Sequence, residues 1–484
     1  MDERKRENLS MLCDFYELTM GNGYLKQGLA EEIAYFDLFF RRVPDNGGFA
    51  IAAGLEQVVE HLENLHFDEE DISFLRGKYG FDEQFLQYLR DFKFMCDVWA
   101  VPEGTPIFPG EPILIVRGPV IQAQLIETML LLTINFQSLI ATKANRIVRA
   151  AAGRPVLEFG SRRAQGVYGA VCGARAAYIA GCAGTANTLS EQLFGIPSSG
   201  TMAHSWVQMF DSELEAFRAY ARLYPNQCVL LVDTYNVLKS GVPNAIRVFD
   251  EVLRPLGARP AGIRLDSGDI TYLSRKARAM LDAGGYPDCK IIASNSLDET
   301  IIRDTILQGA CIDCFGVGER LITSASDPVF GGVYKLCAVE KDGFILPKIK
   351  VSENVSKITT PHFKKVYRLY SNETDKALAD LVTLHTEKVD DTKPLEIFDP
   401  EYIWKRKLLT DFSSRELLKP IFKKGKRVYE LPPISEIRGY CLSEIGRLWE
   451  EVLRFENPHK YYVDLSQPLW DIKHELITKA ASRH

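Results

Sequence analysis

The sequence has few histidines and no surplus of positive charge. Its 484 residues include 8 His, and 58 Lys and Arg are set against 64 Asp and Glu, so the formal net charge is −6. A general nucleic-acid binder needs a basic surface to neutralise phosphates, and this balance argues against that class. A local basic pocket for a small anion is still compatible with the total.

Long apolar runs are also missing. The most apolar stretch, residues 113–141, is interrupted by Arg117, Gln122, Gln124 and Glu127. No uninterrupted run of about 20 apolar residues is therefore available to span a membrane. The N-terminus is charged and no apolar run follows it, which is unlike a secretory signal. We expect a soluble cytoplasmic protein.

The ten cysteines are scattered, as in chains that keep their thiols reduced. One Cys-x-x-Cys pair occurs, Cys311 and Cys314, but no second pair and no histidines follow it at metal spacing. The pair is compatible with a metal or redox site and with two thiols on a buried strand. The spacing favours the second interpretation, and the sequence assigns no metal ligands.

Short apolar runs that end at polar residues or glycine mark the middle third of the chain. They end at Gly160, Asp233, Asp266, Ser294 with Asn295, and Gly316. Helical patterns follow three of them, at residues 244–256, 270–281 and 297–308. This alternation predicts βαβ units and a parallel sheet. Because the carboxyl ends of parallel strands form one face, we expect these polar residues to converge there.

His204 follows a turn rich in glycine and serine and precedes an apolar helix. A lone histidine is more often structural than catalytic. An aspartate at a neighbouring strand end, such as Asp233, could hold the Nδ1 hydrogen and leave Nε2 free as a nucleophile or base.

Three further segments allow both a structural and a functional interpretation. Arg264 with Asp266 is either a salt-bridged strand end or part of a sugar-phosphate site. The turn Gly316-Val-Gly318 is either a common glycine turn or a phosphate cradle. Phe159 with Arg162 and Arg163 is either an exposed basic helix start or a site for an anionic aromatic ligand or a diphosphate.

Several ordered stretches together resemble the nicotinate phosphoribosyltransferase family. They are LCDFYELTM, FDLFFRRVPDNGGFAIAAGL, LEFGSRRAQG, GTMAHSWV, LLVDTYNVLKSGVPN, IRLDSGD, ASNSLDE and FGVGERLIT followed by GGVYKL, between residues 12 and 336. The resemblance implies a type II phosphoribosyltransferase. Such an enzyme joins nicotinate to 5-phosphoribosyl 1-pyrophosphate, releases pyrophosphate, and couples this to ATP hydrolysis through a phosphohistidine in NAD salvage.

The same resemblance implies site residues and an architecture. His204 matches the phosphorylated histidine and Asp233 the acid that orients it. The nicotinate-site positions are Tyr16, Phe159, Thr201 and Arg264. The positions expected to bind 5-phosphoribosyl 1-pyrophosphate are Arg41, Arg162, Asp266, Ser294, Asn295, Gly316, Gly318 and Glu319. Mg²⁺ and ATP are implied, as is a homodimer in which the Tyr16 segment reaches across to the partner's active site.

The fold that we expect is α/β in three parts. Residues 1–150 form a mixed α/β domain, and residues 151–335 form an irregular α/β barrel of parallel strands with the active-site strand ends. Residues 336–484 complete the N-terminal domain and cover the barrel.

Two details bear on substrate choice and phosphate binding. Some relatives have threonine where this chain has Glu319, and an ionised glutamate repels phosphate. Asn187 lies where the related nicotinamide enzyme has an aspartate, and a neutral side chain there tolerates a carboxylate substrate.

The alternatives are an enzyme of the same fold that acts on nicotinamide or quinolinate, a non-catalytic phosphosugar-binding barrel, and a metal-dependent barrel hydrolase.

Overall fold

A computed structural model describes residues 8–481. The N-terminal residues 1–7, on which the expectation of no secretory signal mainly rests, lie outside the described residues. The α-helices in chain order are α1 Phe15–Lys26, α2 Leu55–Asn64, α3 Glu69–Tyr79, α4 Glu83–Arg90, α5 Val120–Leu125, α6 Glu127–Ala150, α7 Gly166–Ile179, α8 Thr188–Phe194, α9 His204–Gln208, α10 Glu213–Leu223, α11 Val242–Val248, α12 Ile270–Ala283, α13 Glu299–Leu307, α14 Glu319–Ile322, α15 Ile434–Gly446 and α16 Gln467–Ala481.

The strands in chain order are β1 Ile33–Phe39, β2 Ala50–Ile51, β3 Asp97–Ala100, β4 Pro106–Ile107, β5 Leu114–Pro119, β6 Val156–Glu158, β7 Gly184–Thr185, β8 Val229–Leu231, β9 Gly262–Leu265, β10 Lys290–Ser294, β11 Cys314–Val317, β12 Val333–Lys341, β13 Phe344–Pro347, β14 Lys364–Ser371, β15 Ala377–Leu384, β16 Leu395–Phe398, β17 Arg406–Leu409, β18 Phe412–Glu416, β19 Lys419–Lys423, β20 Lys426–Arg427 and β21 Val463–Leu465.

The chain divides into two compact units. One comprises Ile140–Pro328, and the other combines Met1–Leu139 with Val329–His484. The sequence analysis placed the corresponding boundaries at residues 150 and 335. Each unit has its own sheets and its own buried apolar residues.

The unit of residues 140–328 contains a six-stranded sheet in the order β7-β6-β11-β10-β9-β8. Every pairing in it is parallel, which confirms the expected parallel sheet. The strands are short apolar runs because both faces of such a sheet are covered. Leu230 and Ile291, for example, lie beside Ile263 in the register and are fully buried.

The helix after β8 begins earlier than its pattern indicated. A π-helical turn, Val237–Gly241, leads into α11, and a second one, Phe249–Leu253, follows it. Gly241 allows the first turn to pass close behind β8, since a Cβ there would lie 1.8 Å from the Val232 carbonyl oxygen. The turn thus brings the residues after Asp233 back against the strand end that carries it.

The other unit is built on a seven-stranded sheet in the order β13-β12-β1-β5-β3-β19-β20. Strand β1 pairs antiparallel with β5 and with β12. Strand β19, from the last hundred residues, pairs antiparallel with β3, so distant parts of the chain share one sheet. A second sheet has the order β18-β14-β15-β21.

The long helix expected after Pro119 is present as α5 and α6. Residues 120–150 are long and apolar enough, by length and composition alone, to cross a membrane. However, 72% of the most apolar window is buried inside the protein, as in the core helix of a globular domain.

Candidate active site

A pocket at the carboxyl edge of the six-stranded sheet collects most of the predicted site residues. Its lining consists of Phe159, Arg162, Arg163, Arg264, Asp266, Ser294, Asn295, Ser296, Leu297, Gly316, Gly318, Glu319 and Arg320. These residues lie at or directly after the ends of β6, β9, β10 and β11. The predicted convergence of the strand ends is therefore confirmed.

Phe159 forms an aromatic wall of this pocket and packs on a glycine. A Cβ on Gly316 would lie 2.5 Å from Cδ2 of Phe159, so any larger residue there would displace the ring. The guanidinium carbon of Arg264 lies 5.6 Å from the centroid of the same ring, within the range of a cation–π contact. A flat anionic ligand would meet both an aromatic surface and a cation.

Arg264 is held by three side chains. Its Nη2 donates to Asp266 Oδ1 at 2.8 Å, its Nε donates to the Ser294 hydroxyl at 2.9 Å, and its Nη1 donates to the Thr201 hydroxyl at 3.3 Å. The Ser294 hydroxyl also donates to Asp266 Oδ1. Ser294 is 2% exposed, so its hydroxyl acts mainly within this network.

His204 begins α9 and faces two carboxylates. Its Nε2 lies 3.8 Å from Asp266 Oδ2 and 4.0 Å from Asp233 Oδ1, whereas Nδ1 contacts the Thr234 hydroxyl at 3.1 Å. The possibility that Asp233 holds the Nδ1 hydrogen is not realised here, because Nε2 faces the aspartate and Nδ1 contacts Thr234. The aspartate follows the strand, and the way α9 approaches the sheet decides which ring nitrogen faces it.

Asp233 is buried and ties two strand ends together. Its Oδ2 accepts hydrogen bonds from the Asp266 backbone N–H at 2.8 Å and from the Ser267 hydroxyl at 2.6 Å. Within residues 8–481, its Oδ1 is buried without a hydrogen-bond partner. An uncompensated buried carboxylate oxygen is costly, and His204 Nε2 is a polar atom that lies 4.0 Å from it.

The loop after β10 has an unusual backbone. Asn295 and Ser296 have φ of 80° and 53°, in the left-handed region that non-glycine residues rarely adopt. The loop ends at Asp298, which caps α13 by accepting from the Ile301 N–H at 2.9 Å and also pairs with Arg320. This ion pair joins the loop after β10 to helix α14, which follows β11.

A neighbouring cation balances the negative charge of Glu319. Its carboxylate lies 3.6 Å from Arg163 Nε, so the charge that was expected to repel phosphate is paired with a cation. Asn187 also has a structural partner, because its side-chain oxygen accepts from the backbone N–H groups of Leu189 and Ser190 and caps α8.

Two predicted site residues belong to the other unit. Tyr16 lies on α1 and is 43% exposed, and burial of its hydroxyl near Glu127 raises the pKa of the phenol. Arg41 follows β1, and its guanidinium lies 5.4 Å from the centroid of the Phe39 ring. Their assigned roles are still predictions.

The sequence analysis missed several residues of this site. Thr234 and Ser267 belong to the quoted motifs but had no role, although each directly follows a predicted aspartate. Arg320 also belongs to a motif, yet its partner Asp298 lies 22 positions away, beyond any local pattern. In the described part of the chain, no group of three or more His, Cys, Asp or Glu forms a ready-made metal site.

The carboxyl edge of this parallel sheet brings together arginines, an aspartate, two glycines and a histidine that faces two carboxylates, an arrangement suited to a phosphorylated sugar ligand. Two family models match the chain: the nicotinate phosphoribosyltransferase (NAPRTase) N-terminal domain at residues 11–135 and the nicotinate phosphoribosyltransferase C-terminal domain at residues 363–473. The chain belongs to the nicotinate phosphoribosyltransferase family.

Individual relatives support the same family. Nicotinate phosphoribosyltransferase of Bacillus subtilis (strain 168) is 44% identical over 479 residues, which covers 99% of this chain and 97% of the relative. The human enzyme is 32% identical and covers 95% of each chain. The crystal structure of human nicotinic acid phosphoribosyltransferase superposes with a TM-score of 0.81 at 30% identity, over 96% of this chain and 99% of that one.

A more distant solved structure shares the fold alone. Nicotinate-nucleotide pyrophosphorylase from Pyrococcus furiosus gives a TM-score of 0.69 at 24% identity, over 90% of this chain and 95% of that chain.

Proposed function

We propose that this enzyme forms nicotinate mononucleotide and pyrophosphate from nicotinate and 5-phosphoribosyl 1-pyrophosphate, and couples the reaction to ATP hydrolysis through His204. The observation that supports the coupling is the position of the histidine. Its Nε2 faces Asp233 and Asp266, and Asp266 lines the pocket that holds the other predicted substrate residues. A change in the charge of His204 would therefore act on Asp266, which lines the substrate pocket.

The geometry favours Nδ1 of His204 as the phosphoryl acceptor. With its hydrogen on Nε2, toward the carboxylates, neutral His204 has its lone pair on Nδ1. Attack of this lone pair on the γ-phosphorus of ATP forms the N–P bond and breaks the bond to ADP. The Nε2 hydrogen is retained, so the ring becomes a cation that Asp233 and Asp266 stabilise. Water later attacks the phosphorus and restores the neutral ring with release of phosphate.

The substrate roles are those that the family resemblance implies. Phe159 stacks on the nicotinate ring, Arg264 with Thr201 binds its carboxylate, and Tyr16 contributes from the partner subunit. The sugar diphosphate contacts Arg41, Arg162, Asp266, Ser294, Asn295, Gly316, Gly318 and Glu319. The ribose C1 gains positive charge as pyrophosphate leaves, and arginines beside the leaving group stabilise the negative charge that it takes. The ring nitrogen of nicotinate then attacks C1, and no strong base is needed.

Mg²⁺ fits this site as an ion that binds together with the diphosphate. Mg²⁺ keeps several waters and typically binds through one or two carboxylates plus substrate phosphates. Glu319 lines the pocket and would hold the ion beside the diphosphate. When bound, the ion neutralises pyrophosphate charge.

We also propose that the six-stranded sheet is the wall of an irregular barrel. Strand β11 pairs with β6, so the last strand in sequence lies beside the first, as in a cyclic order. The circle is open between β7 and β8, which follow one another in the chain but form the two edges of the sheet. Ser198, which forms an isolated parallel bridge to Thr185 of β7, extends the sheet toward that break.

The proposed assembly is a homodimer with shared active sites, in the cytoplasm. Large apolar side chains on and before α1 are exposed in the single chain, which favours a partner there. They are Leu9, Leu12, Phe15, Tyr16 and Met20. The ten cysteines are free thiols, in keeping with a reducing compartment. Mixed dimers of Tyr16→Ala and His204→Ala chains should recover activity if the Tyr16 segment serves the partner's site.

The test of ATP coupling compares the wild type with His204→Ala. We expect the variant to form no phosphoenzyme and to lose ATP hydrolysis and its coupling, while some ATP-independent nicotinate mononucleotide synthesis persists. The assay contains nicotinate, 5-phosphoribosyl 1-pyrophosphate, Mg²⁺ and ATP. Unchanged ATP coupling in the variant would refute the role of His204, and preferential turnover of nicotinamide would refute the assigned substrate.

A further inference from the structure

Asp266 is shared between the histidine and the arginine of the site. Its Oδ1 accepts from Arg264 Nη2 at 2.8 Å, and its Oδ2 lies 3.8 Å from His204 Nε2. The Asp266 side chain is 25% exposed, and its Oδ1 also accepts from the Ser294 hydroxyl. Two cations that use one carboxylate compete for it, and the stronger interaction draws the carboxylate away from the other.

We propose that Asp266 couples the phosphorylation of His204 to the availability of Arg264 for a carboxylate ligand. This inference rests on the proposed function and deepens it, because it names how the ATP-dependent step changes substrate binding. In the resting enzyme, Asp266 occupies one arm of the Arg264 guanidinium. In the phosphoenzyme, Asp266 turns to His204 and that arm is released.

The driving force is the charge of the histidine ring. Transfer of the phosphoryl group to Nδ1 leaves the Nε2 hydrogen in place, so a neutral ring becomes a cation facing Asp266. A hydrogen bond between a cation and a carboxylate is roughly twice as strong as a neutral one. The Asp266 carboxylate therefore gains more from His204 after phosphorylation than before it.

Two other contacts hold the Arg264 guanidinium in position when Asp266 turns to His204. Its Nε still donates to Ser294 and its Nη1 still donates to Thr201, so the planar guanidinium remains fixed while Nη2 loses its partner. A fixed guanidinium with a free donor suits the two oxygens of a carboxylate. The ring of Phe159, 5.6 Å from the guanidinium carbon, places an aromatic surface beside the same group.

The other carboxylate that faces His204 cannot carry this signal. Asp233 Oδ2 is engaged by the Asp266 backbone N–H and the Ser267 hydroxyl, and neither is a cation of the substrate site. Asp233 instead fixes the backbone of Asp266. We therefore expect Asp233 to support phosphorylation and Asp266 to transmit its effect to Arg264.

The first experiment measures the KM for nicotinate with and without ATP in wild type and Asp266→Asn. The wild type should show a decrease of about tenfold or more, the size of one hydrogen bond to a charged group. In Asp266→Asn the decrease should shrink to less than about twofold, because a neutral amide is not drawn to the ring cation. Thr201→Val is the matched control, since it removes another Arg264 contact and should raise the KM equally with and without ATP.

Phosphoenzyme is quantified first by ³¹P NMR at alkaline pH, so that two failures are separated. If wild-type enzyme forms no phosphoenzyme, the proposed function fails and this inference fails with it. If Asp266→Asn forms phosphoenzyme and retains the full ATP effect on nicotinate, the inference alone is overturned.

A second measurement needs no variant and covers the case in which Asp266→Asn does not fold. In wild type, ATP should strengthen the binding of nicotinate but change the inhibition constant of nicotinamide, its neutral analogue, by less than about twofold, because only a carboxylate uses the released arm of Arg264. An equal gain for both ligands would overturn the inference. Linkage requires that saturating nicotinate raise the equilibrium constant for His204 phosphorylation by the factor by which phosphorylation raises the association constant of nicotinate.

Discussion

At the scale of single residues, the site depends on contacts that leave no room for an extra atom. Gly316 is such a position, because the ring of Phe159 packs against its Cα. The lack of a side chain at this strand end is thus what allows an aromatic wall in the pocket. Phe159 can be identified from the sequence, whereas the reason for the glycine opposite it lies in the contact between two strands.

Gly316→Ala should displace Phe159 and weaken nicotinate binding. Overpacking of this kind costs about 1–3 kcal/mol, so we expect the KM for nicotinate to rise about tenfold with a smaller effect on the sugar diphosphate. Gly77→Ala is the control, since a Cβ there meets nothing within 4 Å in α3 and should be neutral or slightly stabilising. Unchanged nicotinate binding in Gly316→Ala would mean that Phe159 is not needed for it.

A second residue, Glu17, should make stability depend on pH. The carboxyl group is buried and accepts from the Thr128 N–H at 3.1 Å and hydroxyl at 2.5 Å. Burial, with the nearby charge of Glu127, raises its pKa from 4.5 to about 7. The folded state therefore holds a proton that the unfolded state releases, and stability falls as the pH rises from 4.5 to about 7.

Glu17→Gln should remove this dependence while it keeps an oxygen that accepts from Thr128. We expect the variant to be more stable than wild type at pH 8 by about 1–3 kcal/mol, with the difference gone near pH 4. Urea unfolding at both pH values measures it. Parallel stability curves for the two proteins across this range would contradict the assignment.

At the scale of elements, the pair Asp298–Arg320 holds the loop after β10 to helix α14, which follows β11. The left-handed residues Asn295 and Ser296 lie just before Asp298. Such backbone conformations cost of order 1–3 kcal/mol each and persist only when their surroundings enforce them. Ser294, bonded to Asp266 and Arg264, anchors one end of the loop, and Asp298 anchors the other.

Arg320→Gln should therefore loosen the sugar-diphosphate pocket without unfolding the protein. We expect the KM for 5-phosphoribosyl 1-pyrophosphate to rise about tenfold, on the scale of one lost hydrogen bond to a charged group, with kcat little changed. Arg259→Gln, which breaks the exposed pair with Asp288, is the matched control and should leave both constants unchanged. An equal fall in kcat would argue for a direct role in the chemistry.

At the scale of the whole molecule, charges are buried in the core of the unit that contains both chain ends. Arg368 donates through Nε and Nη2 to Asp380 at 2.8 and 2.7 Å, and the exposures of the two residues are 1% and 0%. Tyr461 donates to the same aspartate at 3.1 Å. Removal of one partner from such a pair leaves an uncompensated charge in a medium that cannot solvate it.

Arg368→Met should destabilise this unit by about 3–5 kcal/mol, and the double variant Arg368→Met/Asp380→Leu by much less. Thermal and urea unfolding of both variants would measure the difference. Arg406→Gln, which breaks an exposed pair with Glu396, should cost less than about 1 kcal/mol. A double variant as unstable as the single one would show that packing, not charge, dominates.

Much of the six-stranded sheet could be predicted from the local pattern of apolar and polar residues. The apolar runs that end at Asp233, Asp266 and Ser294 are strands, and their ends meet because parallel strands share a carboxyl edge. The ordered motifs also led to the family. These inferences succeed because burial and βαβ connectivity act over a few tens of residues.

Other features were decided only by the tertiary structure. Which ring nitrogen of His204 faces Asp233 depends on how α9 packs on the sheet. Asn295 and Ser296 adopt left-handed backbone conformations, but neither is a glycine, so the sequence does not mark them as left-handed positions. The pairing of β19 with β3 joins residues more than 300 positions apart. The sequence by itself determined which polar side chains lie at the strand ends, because residue types and strand positions are local properties. Their partners were decided by the fold, because a contact between distant segments depends on how whole elements pack.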